Sequence, residues 1–188
     1  MIPAFALALV GVMGLSGCAA VGATVAAGGF AAYLAESNGA PQVTHPLDAT
    51  EALQAPCTSL STGDVEGVGA QNVLAGMPST TDGIPTCYWE GTNTVRVAVG
   101  WMLDNKDGLS YLYYRQSQMA YWIPTTVSGY PAVFADVEDD RSDGRCIINV
   151  AVSDSLYFAT MYASGSRGMA CYLAQQAATD VIKNLGGA

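Results

Sequence analysis

Thr94-Val95-Arg96-Val97-Ala98-Val99-Gly100-Trp101 decides the class of fold. Val95, Val97, Val99 and Trp101 alternate with Thr94, Arg96, Ala98 and Gly100, the period of two that turns one side of a strand into a core and the other toward water. Just upstream, Gly91-Thr92-Asn93 supplies turn chemistry, and residues 87–90 read as the strand that the turn folds back on. Before that strand, the stretch holding Pro78, Asp82-Gly83 and Pro85 reads as a loop. Farther back, Ser61 stands three residues before Asp64, a capping-box spacing, with Leu60 and Val65 placed as a hydrophobic staple. A short helix is therefore expected from Thr62. Gly63, Gly67 and Gly69 weaken it, each by up to ~1 kcal/mol relative to alanine, so packing and a nearby disulfide must hold it.

Downstream, residues 105–108 interrupt the sheet. Residues 109–119 fit neither period cleanly and are read as a helix. Residues 121–127 and 130–137 form a hairpin about Ser128-Gly129, in which Pro131 argues for an edge or strand-start position. A second hairpin joins residues 146–152 to 156–162. After a loop over 163–168, the run 170–185 carries Leu173, Ala177, Val181 and Leu185 four apart, with Lys183 in its last turn and Gly186 placed to stop it. The expected fold is α+β: an antiparallel sheet of five or six strands, two main helices packed on one face, and two disulfides.

Leu15-Ser16-Gly17-Cys18 sets the address. The four residues look like a bacterial lipobox, in which the cysteine thiol receives a diacylglycerol and the chain is cut just before it. Residues 2–14 form an uncharged apolar run of signal-peptide length, too short to span a bilayer alone. The rival reading is an uncleaved transmembrane anchor, because the first charged side chain is Glu36. A basic region should precede a signal core, yet the first Lys or Arg is Arg96, so the natural start is expected upstream of Met1. The expected organisation is a signal peptide over 1–17, a lipid-anchored Ala/Gly/Pro-rich tether over 18–56, and one folded domain over 57–188. The location is then extracytoplasmic, on the cell membrane.

Composition agrees with that division. Hydrophobic residues make up 51% and charged residues only 12%, and much of this excess sits in the first 35 residues, so the remainder reads as a soluble domain. A net charge of −9 with scattered basic residues leaves no patch to neutralise phosphates, which argues against nucleic acid as a partner.

Five cysteines divide into one lipidated Cys18 and an even set, Cys57, Cys87, Cys146 and Cys171. Four allow three connectivities. No pair has C-x-x-C spacing and the only histidine, His45, falls in the tether, so neither a metal nor another cofactor is expected. Two structural disulfides in an oxidising compartment fit better. The strand beginning at Cys146 runs out and its hairpin partner returns beside it, leaving a short loop before Cys171. Cys146–Cys171 is the expected pair, and Cys57–Cys87 follows mainly from proximity along the chain.

The order of these features resembles the domain-of-unknown-function 3558 family. It is carried by Cys57 with Leu60-Ser61-Thr62-Gly63-Asp64-Val65, then Cys87-Tyr88-Trp89, then Val127-Ser128-Gly129-Tyr130-Pro131-Ala132-Val133, with Cys146 opening an apolar strand and Cys171 opening the last helix. The similarity covers about residues 56–185, and the glycine-rich first helix departs from the more regular one expected there. It implies an envelope lipoprotein, mostly actinobacterial, and brings no catalytic activity or catalytic residues with it.

Tests for chemistry fail on the residues themselves. A hydrolase triad lacks its base, no G-x-S-x-G elbow surrounds Ser164 or Ser166, and Gly67-Val68-Gly69 has no third glycine where a nucleotide loop needs one. In the acidic run Asp136, Glu138, Asp139, Asp140 and Asp143, Arg141 stands where a calcium loop needs an oxygen, so a solvated loop is expected. The candidate binding surface is Tyr111, Tyr113, Tyr114, Tyr121 and Trp122, rings able to stack on sugars or anchor an interface, with core packing the rival account for some of them. The expected function is a non-catalytic binding or protein-interaction module on the outer face of the cytoplasmic membrane. Its expected partners are the membrane itself, through the lipid, and an envelope protein, glycan or lipid ligand. The alternatives are a structural or accessory subunit of an envelope complex, or an enzyme with an unrecognised site.

Overall fold

A computed structural model describes residues 39–104, 106–165 and 168–187. The signal-peptide, lipobox and transmembrane readings, Cys18 included, lie outside these residues. In chain order the elements are α1 (Thr50–Gln54), a 3-10 turn (Pro56–Ser59), α2 (Thr62–Gly67), β1 (Met77–Thr81), β2 (Ile84–Glu90), β3 (Arg96–Met102) and α3 (Ser110–Tyr114). A 3-10 turn (Gln116–Gln118) follows, then β4 (Tyr121–Val127), β5 (Tyr130–Asp136), β6 (Arg145–Ser153), β7 (Leu156–Ala163) and α4 (Ala170–Asn184). The fold is α+β. Two antiparallel meanders, β1 to β3 and β4 to β7, join where β3 pairs with β7, giving one sheet in the order β1-β2-β3-β7-β6-β5-β4.

The sheet has seven strands, not five or six. The extra one is β1, in the stretch read as a loop. Asp82 and Gly83 both have positive φ, 52° and 80°, as a two-residue hairpin turn requires, and they set Thr81 opposite Ile84. Pro78 and Pro85 masked this hairpin, but Pro78 lies on β1, an edge strand where a missing N–H is tolerated, and Pro85 comes before the first pair of β2 with β3, Thr86 with Gly100.

The folded unit also reaches farther upstream than residue 57. Residues 39–56 were expected to belong to the tether, yet Val43, Ala49 and Ala52 are buried in the core. The Val43 N–H donates to the Asp154 carboxylate at 2.9 Å and the Leu47 N–H to the Val152 carbonyl at 2.9 Å. The prolines here do favour extended chain, but the apolar residues between them convert it into a strap bound to the domain.

One sheet face carries the main core. Val97, Val99 and Trp101 of β3 lie opposite Tyr162, Thr160 and Phe158 of β7, which in turn face Cys146, Ile148 and Val150 of β6. Over them packs α4, through Ala170, Ala174, Ala177, Ala178, Val181 and Ile182. The expected stripe therefore lies one step aside: Ala177 and Val181 belong to it, while Leu173 and Leu185 are only partly buried. The helix stops as expected at Gly186 (φ 83°), whose N–H bonds to the Lys183 carbonyl while that of Gly187 bonds to Ile182, the two hydrogen bonds of a Schellman ending.

The helix after Ser61 is short but well anchored. Ser61 Oγ accepts from the Asp64 N–H at 3.1 Å and Asp64 Oδ2 accepts from the Ser61 N–H at 2.8 Å. Asn184 then ties the end of α4 to this cap, donating to Asp64 Oδ2 at 3.0 Å and to the Ser59 carbonyl at 3.1 Å. Burial pushes the Asp64 carboxyl up, but the Ser61 and Asn184 hydrogen bonds and the Lys183 charge outweigh it and hold it low. Asp180 goes the other way, pushed up by burial and by the Asp64 charge against the pull of Lys183.

The disulfides are Cys57–Cys87 and Cys146–Cys171, the expected pairing. Replacing both Cys57 and Cys87 by alanine should cost about 3.5 kcal/mol in the chain-entropy model, read as a lowered denaturant midpoint. Asp180→Asn should raise Tm at neutral pH. A group whose folded-state pKa is raised favours the fold below its unfolded pKa, about 3.9 for aspartate, and opposes it once pH rises through the folded value. The gain should therefore vanish in thermal melts at pH 3, while the opposite contribution of Asp64 is lost as pH falls.

Candidate functional site

The second sheet face is built from the residues between those that enter the main core. Met77 pairs with Tyr88, Tyr88 with Ala98, Ala98 with Met161 and Met161 with Ile147, so one row across β1, β2, β3, β7 and β6 is apolar throughout. Ala135 and its partner Trp122 extend that side onto β5 and β4. The next row is small or polar, with Thr86, Gly100, Ala159 and Asn149. Met77 is 55% exposed and Tyr88 38%. The sequence assigned the Ala98 and Gly100 side of β3 to water, but those residues are buried among larger apolar neighbours.

The connection from β3 to β4 closes the other half of this face. Leu109 is buried, Leu112, Tyr113 and Met119 pack against the core, and the Tyr113 ring meets Trp122 edge-on, 4.9 Å between centroids at 86°. Burial pushes the Tyr113 phenol up. Tyr111 is bonded to the Arg115 guanidinium, which also lies 5.1 Å over its ring. Tyr114 is 61% exposed. Four of the five expected aromatics thus gather on α3 and the start of β4.

Tyr121 is not one of them. Consecutive strand residues point to opposite faces, and Tyr121 is 7% exposed. Pairing of β5 with β6 covers only Ala132, Val133 and Phe134. Beyond it the Tyr121 hydroxyl accepts from the Ile147 N–H at 3.1 Å, and the Asn149 amide donates to the Ala135 carbonyl at 3.1 Å, so two side chains take over where the ladder stops. Burial raises the Tyr121 phenol, with a lowering contribution from the Ile147 hydrogen bond. Arg141 stacks 4.3 Å over its ring.

The acidic run beside it is a solvent-exposed turn, as expected, in which three of the carboxylates are ion-paired. Arg145 bridges Asp136 and Asp140, both at 2.9 Å, and Arg141 pairs with Asp139 at 2.7 Å. Among the described residues no group of three His, Cys, Asp or Glu is placed to hold a metal ion, and no helix is long and apolar enough to cross a membrane. His45 is exposed, in a groove between the residue 43–47 strap and the turn at Ser128 to Pro131, with Gly186 and Gly187 at its end. Ser164 sits beside a different groove, formed with Gly67, Gly69, Asn93 and Tyr162. The histidine and the serine are thus in separate places.

A family model described as a protein of unknown function (DUF3558) matches residues 13–184. No curated protein and no solved structure matches the chain.

Tyr121→Phe should cost about 1–3 kcal/mol, the penalty for leaving the Ile147 N–H without its acceptor, as a lower urea midpoint at unchanged slope. Tyr114→Phe, at an exposed position, should stay within about 0.5 kcal/mol of the parent.

Proposed function

The chain belongs to the DUF3558 family, and we propose that it serves as a non-catalytic binding or protein-interaction module, held at the outer face of the cytoplasmic membrane by a lipid on Cys18. The observation that carries this reading is the aromatic ledge of Tyr111, Tyr113, Tyr114 and Trp122, with the Tyr113–Trp122 pair fixed edge-on against the sheet. Rings held in place lose little freedom on binding while offering apolar area and a polar edge. Two disulfides brace the sheet behind the ledge, and paired cysteines suit an oxidising envelope. The family match begins at residue 13 and so takes in the lipobox-like Leu15 to Cys18, which supports reading that stretch together with the domain. The ligand classes for such a ledge are an envelope protein, a glycan or a lipid.

Intact mass of the membrane-bound protein should show loss of residues 1–17 plus added lipid, and Cys18→Ala should release the protein or leave it unprocessed. Two or three acyl chains make such an anchor stable where one does not. An intact N-terminus on the membrane-bound protein would overturn the anchor. For the ledge, capture from crosslinked envelopes alongside glycan and lipid arrays should give a signal that Trp122→Ala reduces at least tenfold, whereas an undiminished signal would remove the ledge from consideration.

A further inference from the structure

We propose that the open half of the second sheet face is the docking site for an apolar segment of the same chain, residues 19–38. Three observations converge on it. The row Met77, Tyr88, Ala98, Met161 and Ile147 presents no charged side chain across five strands, and Met77 and Tyr88, at its β1 end, are exposed. The segment matches it in chemistry: residues 19–35 contain no charge at all and carry Val21, Val25, Phe30, Tyr33 and Leu34. It also enters the domain at the border of this face, because the Ala40 N–H donates to Ser110 Oγ at 3.0 Å, and a side chain on Gly39 would meet Ser110 and Tyr114 of α3.

Reach and area decide between occupants. Crossing the three open strands β1 to β3 takes roughly 10–15 Å, and an extended chain covers that with about four residues, well within the segment. Only two side chains of the row, Met77 and Tyr88, are exposed, far short of the about 800 Å² per partner of a stable complex, so a second copy of the protein finds too little surface. A bilayer is disfavoured by charge. Glu90, on the same face beside Tyr88's row, is already paired with Arg96, so the charge left near the row among the described residues is that of Asp82 and Asp104 at the β1–β2 turn, in a chain that carries −9 overall, and anionic headgroups repel it. Residues 19–35, which carry no charge, have no such conflict. The proposal does not depend on a lipid at Cys18.

The test uses the full chain with a photoreactive benzoylphenylalanine in place of Tyr88. Irradiation should link this position to peptides from residues 19–38 of the same molecule. Links to a second copy, to phospholipid or to another envelope protein without any to that segment, or no link at all, would overturn the proposal. A second full-length variant, Val25→Asp with Phe30→Asp and Tyr33→Asp, leaves the described domain untouched. Peroxide should then convert Met77 and Met161 to sulfoxide several-fold faster than in the parent, with Met169, exposed before α4, as the unaffected control. Unchanged rates at Met77 and Met161 would sink it as well.

Discussion

Everything in this molecule depends on the seam between β3 and β7. Seven residue pairs, from Arg96 with Ala163 to Met102 with Tyr157, join two meanders that are separate in the chain. Closing a loop of about 60 residues costs conformational entropy before any contact offsets it, and neither disulfide assists, because Cys57–Cys87 lies wholly before the seam and Cys146–Cys171 wholly after its first strand. The seam is therefore held by ladder hydrogen bonds and by packing. Trp101 sits on Phe158, ring centroids 5.2 Å apart, and its indole N–H finds Ser59 Oγ at 3.1 Å, so this buried indole is apolar on its faces and satisfied at its polar edge. That hydrogen bond also draws the 3-10 turn bearing Cys57 onto the sheet, linking the first disulfide to the seam it does not cross.

The parts of this arrangement that were legible from sequence share one property: their signal is local. The valines of β3, the capping box at Ser61, the Gly186 stop and the Cys146 hairpin each declare themselves within a few residues, and the structure has all of them. What was misread depends on position in the whole. Pro78 looks disqualifying for a strand unless it is known that β1 lies at the sheet edge. Val43, Ala49 and Ala52 look like linker residues until the rest of the core exists to bury them. The aromatic ledge was half legible for the same reason, since the composition of 111–122 marks rings but only the pairing of Trp122 with Ala135 and of Tyr121 with Asp136 shows which rings share a face.

The acidic character of the chain is handled locally. Arg145 and Arg141 absorb Asp136, Asp139 and Asp140 at one corner, and Arg96 pairs with Glu90 at another. These pairs are partly or largely exposed, and such pairs contribute little to net stability. Their greater effect is geometric: Arg145 reaches across the place where β5 leaves β6, and Arg141 seals the Tyr121 ring whose hydroxyl replaces the missing ladder bond.

Topology also explains why one sheet face is finished and the other is not. With α4 lying on β6 and β7 from the first side, the chain leaving β3 must reach β4 at the far edge by passing the second side, over the positions of β7, β6 and β5. Its buried residues, Leu109 foremost, and the Tyr113–Trp122 contact lie along that route. Nothing in the route takes it over β1 and β2, so Met77 and Tyr88 stay exposed although the row they belong to is apolar from end to end. A sheet face that merely met water would gain from polar side chains there, as the exposed Glu90 and Arg96 illustrate in the adjacent row of the same face. Methionine and tyrosine in the exposed positions, with Ala98 beside them, give that row the composition of an interface, and the uncharged apolar residues 19–35 lie just upstream in sequence of the point where the chain arrives at Gly39.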